Sequence, residues 1–268
     1  MPKFNCPCCN QKEIKKSFTS WEGIPYSICK NCKTSYQDPP LTIDYKEDSW
    51  GQKVDPDNKL RDLTKEKEFK IKNWYGDTIK YVNSKNPGKI LDVGCGLGFF
   101  LFSINEAWER HALEVSEEAI NFIKENDKKI IINKGTIEIN TLEENLFDVI
   151  FFYHVFEHLE NPIESLDKIS KLLKPNGTLI LGTPNNSSLC AKIFGGNYRL
   201  LCKAHKFLVT SSYMKKILIQ RNFSIKKVEY PYFKTDYFNL KNILKLFFIW
   251  KVSPPFFGNI MTFYMVKK

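Results

Sequence analysis

The chain has 268 residues, of which 43% are hydrophobic and 26% are charged, and its formal net charge at pH 7 is +10. This length suits one sizeable α/β domain with a small appended module. No apolar run approaches the roughly 18 residues that cross a membrane, and the N-terminus lacks the apolar segment of a signal peptide. We therefore expect a cytoplasmic protein.

The charge is distributed unevenly along the chain. Residues 1–90 contain 17 basic and 12 acidic side chains, residues 91–190 contain 8 and 16, and residues 191–268 contain 15 and 2. A basic C-terminal third indicates an anionic partner, which is a phosphorylated or nucleotide-linked small molecule, a membrane surface or RNA. Solvated lysines without any such partner are the alternative explanation.

Five of the eight cysteines lie in the first 32 residues. Cys6, Cys9, Cys29 and Cys32 form two CxxC pairs separated by a 19-residue spacer. This spacing is typical of a tetrahedral zinc site in which each tight turn supplies two thiolates. Four thiolates leave no open coordination position, so the zinc would be structural. Cys8 could replace Cys9 as a ligand or stay free, and a thiol redox pair or a metal-free ribbon are the alternatives.

The N-terminal third is predicted to contain a zinc-ribbon-like module over residues 1–36, with a hairpin within residues 14–28. Residues 37–64 are polar and contain several prolines, which indicates a linker or a lid, and Tyr45 and Trp50 could close over a ligand there. Residues 65–82 have the apolar spacing of an amphipathic helix.

Residues 90–100 form a short apolar run that breaks into three glycines, Gly94, Gly96 and Gly98. The pattern predicts a strand, a tight turn and a helix over residues 99–108, whose first N–H groups would face a ligand. Asp92 places a carboxylate at the end of the strand, which suits a cationic or hydroxyl-bearing ligand. The dinucleotide fingerprint GxGxxG would need glycine at position 99, where the chain has Phe99.

The rest of the chain alternates between predicted strands and helices, which favours a doubly wound α/β sheet. Strands are expected at 111–115, 129–133, 147–153, 178–182, 223–229 and 260–266, with helices at 117–125, 163–173 and 210–221 and a turn at 175–177. Residues 238–252 are apolar with three lysines. They are expected to form a helix that covers a pocket or contacts another subunit, with a membrane interface as the alternative.

Two histidines are candidate catalytic residues. His158 follows the buried strand 147–153, and its imidazole could accept a proton from an attacking hydroxyl, although it could instead pack at the strand edge or orient Glu157. His205 lies with Arg199 and Lys206 in a mixed segment, residues 185–207, that is expected to contact an anionic or hydroxylated acceptor.

Asp92 and the three glycines resemble motif I of the class I S-adenosylmethionine (SAM) methyltransferases. The segments FDVIFFYHVFEHLENP and LKPNGTLILGTPN are similar to the small-molecule and sugar branch of that class. The resemblance implies a Rossmann-like methyltransferase domain over residues 65–268, with a seven-stranded sheet whose last strand is antiparallel.

The resemblance also implies how SAM is bound. Asp92 would lie near the methionine amine, the glycine main chain beneath the cofactor, and Glu114 on the ribose hydroxyls. The remaining cofactor-binding residues implied by the resemblance are Val115, Thr136, Ile137, Tyr153 and His154. An acid usually stands where this chain has Thr136, and Glu138 follows two residues later.

We therefore expect a methyltransferase that acts on a small hydroxylated, anionic acceptor, such as a sugar or a lipid- or nucleotide-linked glycan precursor. An RNA methyltransferase, acting on rRNA or tRNA, would explain the cysteine module and the basic C-terminal third together. A non-catalytic SAM-binding scaffold is the second alternative.

Overall fold

A computed structural model describes residues 4–43, 53–54 and 60–268. Tyr45 and Trp50, the two aromatic residues of the expected lid, lie outside these ranges. The chain forms two compact units. The ribbon unit comprises Met1–Ile43, His154–Leu166 and Gly182–Phe263, and the glycine-turn unit comprises Asp44–Tyr153, Asp167–Leu181 and Tyr264–Lys268. The domain boundaries expected from the sequence remain predictions.

The strands in the described ranges are numbered in chain order. They are β1 (Ile14–Thr19), β2 (Pro25–Cys29), β3 (Ser35–Gln37), β4 (Lys53–Val54), β5 (Leu60–Arg61), β6 (Lys89–Val93), β7 (Glu109–Glu114), β8 (Ile131–Lys134), β9 (Phe147–Tyr153), β10 (Leu173–Pro184), β11 (Phe207–Leu208), β12 (Phe223–Glu229) and β13 (Ile260–Lys267).

The α-helices are numbered in the same way. They are α1 (Lys67–Lys70), α2 (Gly76–Asn83), α3 (Glu117–Asn126), α4 (Pro162–Leu172), α5 (Leu189–Phe194), α6 (Ser211–Gln220) and α7 (Leu240–Lys245). A 3₁₀ turn at Leu63–Glu66 leads directly into α1, and a π-helical segment at Ile71–Tyr75 joins α1 to α2. The resulting helical stretch confirms the helix predicted for residues 65–82. Among the described residues, no helix has both the length and the apolar character that spanning a bilayer requires.

The main sheet has seven strands in the order β12-β13-β10-β9-β6-β7-β8, and it is mixed. Strands β6, β7, β8 and β9 are parallel to one another, with Asp92 opposite Ala112 on one side and Phe151 on the other. The last strand in the chain, β13, lies between β10 and β12. This arrangement confirms the predicted doubly wound methyltransferase fold.

Strand β9 forms where the sequence has a continuous apolar run. Val149, Ile150 and Phe152 of β9 are each at most 1% exposed, because both faces of a parallel sheet are covered. The observed bounds of β9 and β12 equal the predicted ones. In the glycine-turn unit, Phe100 stacks on Phe151 with ring centroids 3.8 Å apart, and this pair lies in the main core.

The helix predicted after the glycines is wrong. The chain makes a 3₁₀ turn at Leu101–Ser103, and Ile104 is already extended, with ψ 136°. Phe99 and Phe100 are both buried but belong to different clusters of the core, so apolar side chains leave this segment in more than one direction. A regular surface helix needs one apolar face and one polar face, which this segment does not have.

The start predicted for the strand at residues 178–182 is also wrong. Strand β10 begins at Leu173, five residues before the expected position, and includes the Pro-Asn-Gly sequence. The predicted change of direction occurs inside the strand, because Asn176 has a φ of +61°. A Cβ added at Gly177 would lie 2.8 Å from the carbonyl oxygen of Lys174.

The ribbon unit contains a second, four-stranded sheet in the order β1-β2-β3-β11. Strands β1 and β2 form the predicted hairpin, and β11 pairs antiparallel with β3. Tyr26 of β2 is fully buried, and its hydroxyl donates to the carbonyl oxygens of Cys202 and His205 at 3.0 and 2.6 Å. These bonds connect the cysteine-rich hairpin to the loop that carries His205.

The helix predicted over the apolar segment 238–252 is shorter than expected, and its contact with another subunit stays a prediction. The helix of this segment is limited to α7, and Leu240, Phe247 and Trp250 are 71%, 74% and 67% exposed. These side chains therefore do not cover a pocket within the described part of the chain.

Candidate active site

The glycine turn follows β6 in the glycine-turn unit. Gly94, Gly96 and Gly98 have φ values of +66°, +53° and +73°, which side chains with a Cβ rarely adopt. The Gly94 N–H donates to the carbonyl oxygen of Leu113 at 2.8 Å. The turn is thus fixed at the carboxyl end of the neighbouring strand β7, the edge where open parallel sheets bind ligands.

Gly98 is required by packing inside the protein. A Cβ at this position would lie 2.9 Å from Cγ1 of Ile123, a fully buried residue of α3. The absence of a side chain at Gly98 therefore lets the turn approach α3.

Glu114 stabilises the turn from the tip of β7. Its Oε2 accepts the N–H of Gly96 at 2.8 Å, and its Oε1 accepts the N–H groups of Val115 and Ser116 at 2.7 and 2.9 Å. The residue is 7% exposed, so these charge-assisted bonds form away from bulk water. They fix the carboxylate in one orientation, while its contact with ribose remains a prediction.

Asp92 is a buried acid at the end of β6. It is 3% exposed. Burial, and then the charge of Glu114, raise the pKa of Asp92 well above its usual value. A buried carboxyl close to a second acid is costly when ionised, and a positive ligand would offset that cost. The site therefore fits a cationic group such as the sulfonium or the amine of SAM.

Tyr75 is a residue of this site that the sequence did not reveal. It was expected only as part of a helix face, but its ring packs edge-on against Tyr153 with centroids 5.9 Å apart. Burial raises the pKa of Tyr75, and the nearby charges of Asp92 and Tyr153 act in the same direction. Tyr153 itself stacks on Phe151 with centroids 5.3 Å apart.

The loop that carries Thr136 and Ile137, two of the expected cofactor-binding residues, follows β8. The Gly135 N–H donates to the Glu114 carbonyl oxygen at 2.9 Å, which connects this loop to the tip of β7. Thr136 accepts the N–H groups of Ile139 and Asn140 through its carbonyl oxygen, and Ile137 is 2% exposed. The loop is ordered by its own backbone bonds, and its contacts with a cofactor remain predictions.

A second polar cluster lies in the ribbon unit, around Glu157. This carboxylate is fully buried, and Thr183 donates to its Oε2 at 3.0 Å. Nδ1 of His154 lies 3.1 Å from Oε1, and Nε2 of His205 lies 4.0 Å from the same atom. Thr183 was not predicted, although a threonine at the end of an apolar strand was an available signal.

The two candidate catalytic histidines are neighbours. The rings of His158 and His205 lie 5.0 Å apart. Nδ1 of His158 is 2.7 Å from the carbonyl oxygen of Ala204, and Nδ1 of His205 is 2.7 Å from that of Leu200. Because a carbonyl only accepts, Nδ1 carries a proton in both rings. The acid–base function of each ring therefore falls on Nε2.

Burial and the neighbouring charges shift the pKa values of Glu157, His158 and His205 in different directions. Burial opposes ionisation of Glu157, but the hydrogen bond from His154 and the charges of the three histidines lower its pKa to about 2. Burial lowers the pKa of His158 to about 4, with Glu157 acting in the opposite direction. For His205, burial is outweighed by Cys202 and Glu157, which raise its pKa to about 9. At neutral pH, His158 is neutral and His205 is positively charged.

The four predicted zinc ligands converge at one end of the ribbon unit. The Sγ atoms of Cys6, Cys9, Cys29 and Cys32 all lie within 4.8 Å of one another. The Cys6–Cys32 and Cys9–Cys29 sulfur pairs are each 3.5 Å apart. This geometry suits one tetrahedral ion.

Glu157, His158 and His205 also offer ligand atoms within 4.8 Å of one another, so a metal could compete there with the ion pairs described above.

Three curated relatives resemble the chain. An uncharacterised protein of Methanocaldococcus jannaschii, MJ0638, is 28% identical over 66% of this chain and 68% of its own length. A mitochondrial ubiquinone biosynthesis O-methyltransferase of Dictyostelium discoideum is 26% identical over 53% of each chain. A tRNA U34 carboxymethyltransferase of Helicobacter acinonychis is 30% identical over 43% of this chain and 50% of that protein. The chain thus spans about half the length of the last two.

The fold is shared with solved structures. A SAM-dependent methyltransferase from Archaeoglobus fulgidus superposes with a TM-score of 0.54 and 20% identity, covering 76% of this chain and 99% of that one. Fold and site together define a Rossmann-like methyltransferase. Residues 70–228, more than half of the chain, match the family profile described as a methyltransferase domain. The chain belongs to that family and is a SAM-dependent methyltransferase.

Proposed function

We propose that the enzyme methylates a hydroxyl group of a small, anionic acceptor. The observation that supports this proposal is the environment of His158, a half-buried ring oriented through Nδ1 by the Ala204 carbonyl and adjacent to the Glu157 carboxylate. A neutral imidazole can take up the proton that a hydroxyl loses as it attacks. Glu157 would stabilise the imidazolium that forms, and His205 would act as a positioning residue by balancing the charge of Glu157.

SAM supplies an electrophilic methyl group on a sulfonium centre when it is bound. Asp92 would balance the positive charge of the cofactor, and the Glu114 carboxylate would accept hydrogen bonds from ribose. Tyr153, Thr136 and the backbone after Glu114 would complete the binding surface of the glycine-turn unit, and the cofactor contact expected for His154 stays a prediction. Because the methyl group is already activated, the residues of the protein contribute mainly by orienting the two reactants.

The anionic character of the acceptor is inferred from charge. The last 78 residues contain 15 basic and 2 acidic side chains. Such an excess of positive charge attracts phosphorylated sugars and lipid- or nucleotide-linked glycan precursors, and this attraction acts over longer distances than a single contact does. RNA has the same charge, and one relative is a tRNA-modifying enzyme, so an RNA acceptor is the second candidate function.

We also propose that the four-cysteine cluster holds one structural zinc ion. A module of about 40 residues seldom folds without a disulfide or a metal. The paired sulfur atoms and the absence of an open ligand position in the set support a role in folding.

Transfer of label from radioactive SAM into fractionated cell extract tests the acceptor. We expect label in the phosphorylated small-molecule or lipid-linked fraction, and label in RNA would favour the second candidate.

The variant His158→Asn retains a donor for the Ala204 carbonyl but has no basic nitrogen. It should lower kcat by about 100-fold, the usual share of a general base, with unchanged affinity for S-adenosylhomocysteine (SAH). Binding of SAH with no turnover on any fraction would instead indicate a scaffold.

A further inference from the structure

Exposed apolar side chains are concentrated in one stretch of the ribbon unit. Among the described residues, fifteen large hydrophobic side chains are exposed, and nine of them lie within residues 233–257. We call this stretch the apolar face. The nine side chains are Phe233, Phe238, Leu240, Leu244, Phe247, Phe248, Ile249, Trp250 and Phe257. A patch of this kind normally marks an interaction site.

The apolar face is supported from beneath by specific contacts. Asn239 accepts the Asn242 N–H at 2.9 Å at the start of α7, and the buried Asn242 amide donates to the Tyr237 carbonyl at 3.0 Å. Leu246 and Phe256 pack against the core of the ribbon unit. These contacts anchor the backbone of the apolar face to the ribbon unit, while its largest side chains are exposed to solvent.

The charge of the apolar face identifies its partner. Lys241 and Lys251 are exposed and Lys245 is half-buried, while no acidic residue follows Asp236 in the chain. Lysines beside exposed Trp, Phe and Leu are the composition of segments that lie in a membrane interface. Each lysine close to an anionic bilayer contributes roughly fivefold in affinity.

We propose that the apolar face binds the surface of a bilayer containing anionic lipids, with its aromatic rings at the headgroup boundary and its lysines at the lipid phosphates. A second copy of the chain fits less well, because a two-fold interface would place lysines opposite lysines, and Asp236 is the only acid in residues 233–257 that could pair with them. RNA would bring phosphates against Leu240 and Ile249. This inference concerns docking and does not depend on which acceptor is methylated.

Co-sedimentation of the full chain with vesicles tests the proposal. We expect binding to vesicles of phosphatidylcholine and phosphatidylglycerol at 3:1 and at least tenfold weaker binding to pure phosphatidylcholine. The double variant Phe247→Ser/Trp250→Ser should lose at least tenfold in binding to the mixed vesicles. Lys241→Gln/Lys251→Gln should lose about 25-fold on the mixed vesicles, following the lysine contribution above, and little on the neutral ones.

Ile219→Ser is the matched control, because Ile219 is 59% exposed but lies on α6, outside the apolar face. It should bind vesicles like the unchanged protein, and SAH binding should be normal in every variant. Three results would overturn the proposal. They are no binding to either vesicle, a dimer that becomes monomeric in the Phe247→Ser/Trp250→Ser variant, or RNA binding that this variant abolishes while vesicle binding persists.

Discussion

The Glu114 carboxylate accepts the N–H of Gly96 at 2.8 Å, so an acid at the tip of one strand holds the glycine turn at the tip of the next. The same carboxylate accepts two further backbone N–H groups. The turn therefore does not depend on its glycines alone for its conformation. A side chain expected only to bind a ligand also shapes the site.

Glu114→Gln should disturb the glycine turn, because one of the two acceptor oxygens becomes an NH₂ donor facing backbone N–H groups. We expect a loss of about 2 kcal/mol in the free energy of unfolding, as for a charge-assisted bond, and at least a tenfold loss in SAH affinity by calorimetry. The control is Glu117→Gln, whose carboxylate is 57% exposed and pairs with Lys134. Equal effects in the two variants would contradict the role of Glu114.

Binding of SAM should weaken as pH falls. The folded-state pKa of Asp92 lies above its ordinary value, so the carboxyl takes up a proton at a higher pH than in the unfolded chain. A cation binds to the ionised form, and affinity should therefore decrease through the raised pKa, with proton release on binding.

Asp92→Asn should bind SAM weakly at every pH, with a flatter pH profile. The variant should also be more stable than the unchanged protein at high pH. A carboxyl whose pKa is raised in the folded state lowers the free energy of unfolding as pH rises and the group ionises. Calorimetry in buffers of different ionisation enthalpy measures the released proton. A steep pH profile that persists in the Asn variant would assign the effect to another group.

Zinc content should distinguish the two adjacent cysteines. Cys9 belongs to the converging set, whereas Cys8 is buried and its carbonyl accepts the Tyr213 hydroxyl at 2.6 Å. We expect about one zinc per chain, retained in Cys8→Ser and largely lost in Cys9→Ser, by elemental analysis of purified protein. Chelation should unfold the ribbon hairpin. Loss of zinc from Cys8→Ser alone would reverse the assignment.

Gly98→Ala should destabilise the protein through both backbone and packing. A positive φ costs an alanine about 1 kcal/mol, and the new Cβ would meet Ile123 at 2.9 Å, which adds about 1–3 kcal/mol of overpacking. Gly23→Ala is a matched control, because Gly23 has a φ of +77° but no atom within 4 Å of an added Cβ.

Denaturant titration of the two glycine variants separates the contributions. The difference between them measures packing against Ile123, since the backbone cost is common to both. If Gly23→Ala is as destabilising as Gly98→Ala, the contact with Ile123 has no energetic importance.

The sequence by itself determined the parts of the protein that depend on local patterns. Continuous apolar residues define β9 to the residue, because a strand buried on both faces needs no alternation. The glycine spacing defines the turn after β6, and the spacing of the cysteines predicts that four thiols can meet. The strand and turn signals are local, since each depends on backbone preferences within a few residues, and each CxxC pair is likewise read from one short turn.

Only the tertiary structure decided which side chains meet. His205 is 47 positions after His158, yet their rings are 5.0 Å apart beside Glu157, and the choice of Cys9 over Cys8 follows from where the two hairpin ends converge. The helix expected after Gly98 failed for the same reason, because Phe99 and Phe100 are drawn into different clusters of the core. Packing between distant segments outweighs local preference when several large apolar side chains compete for buried positions.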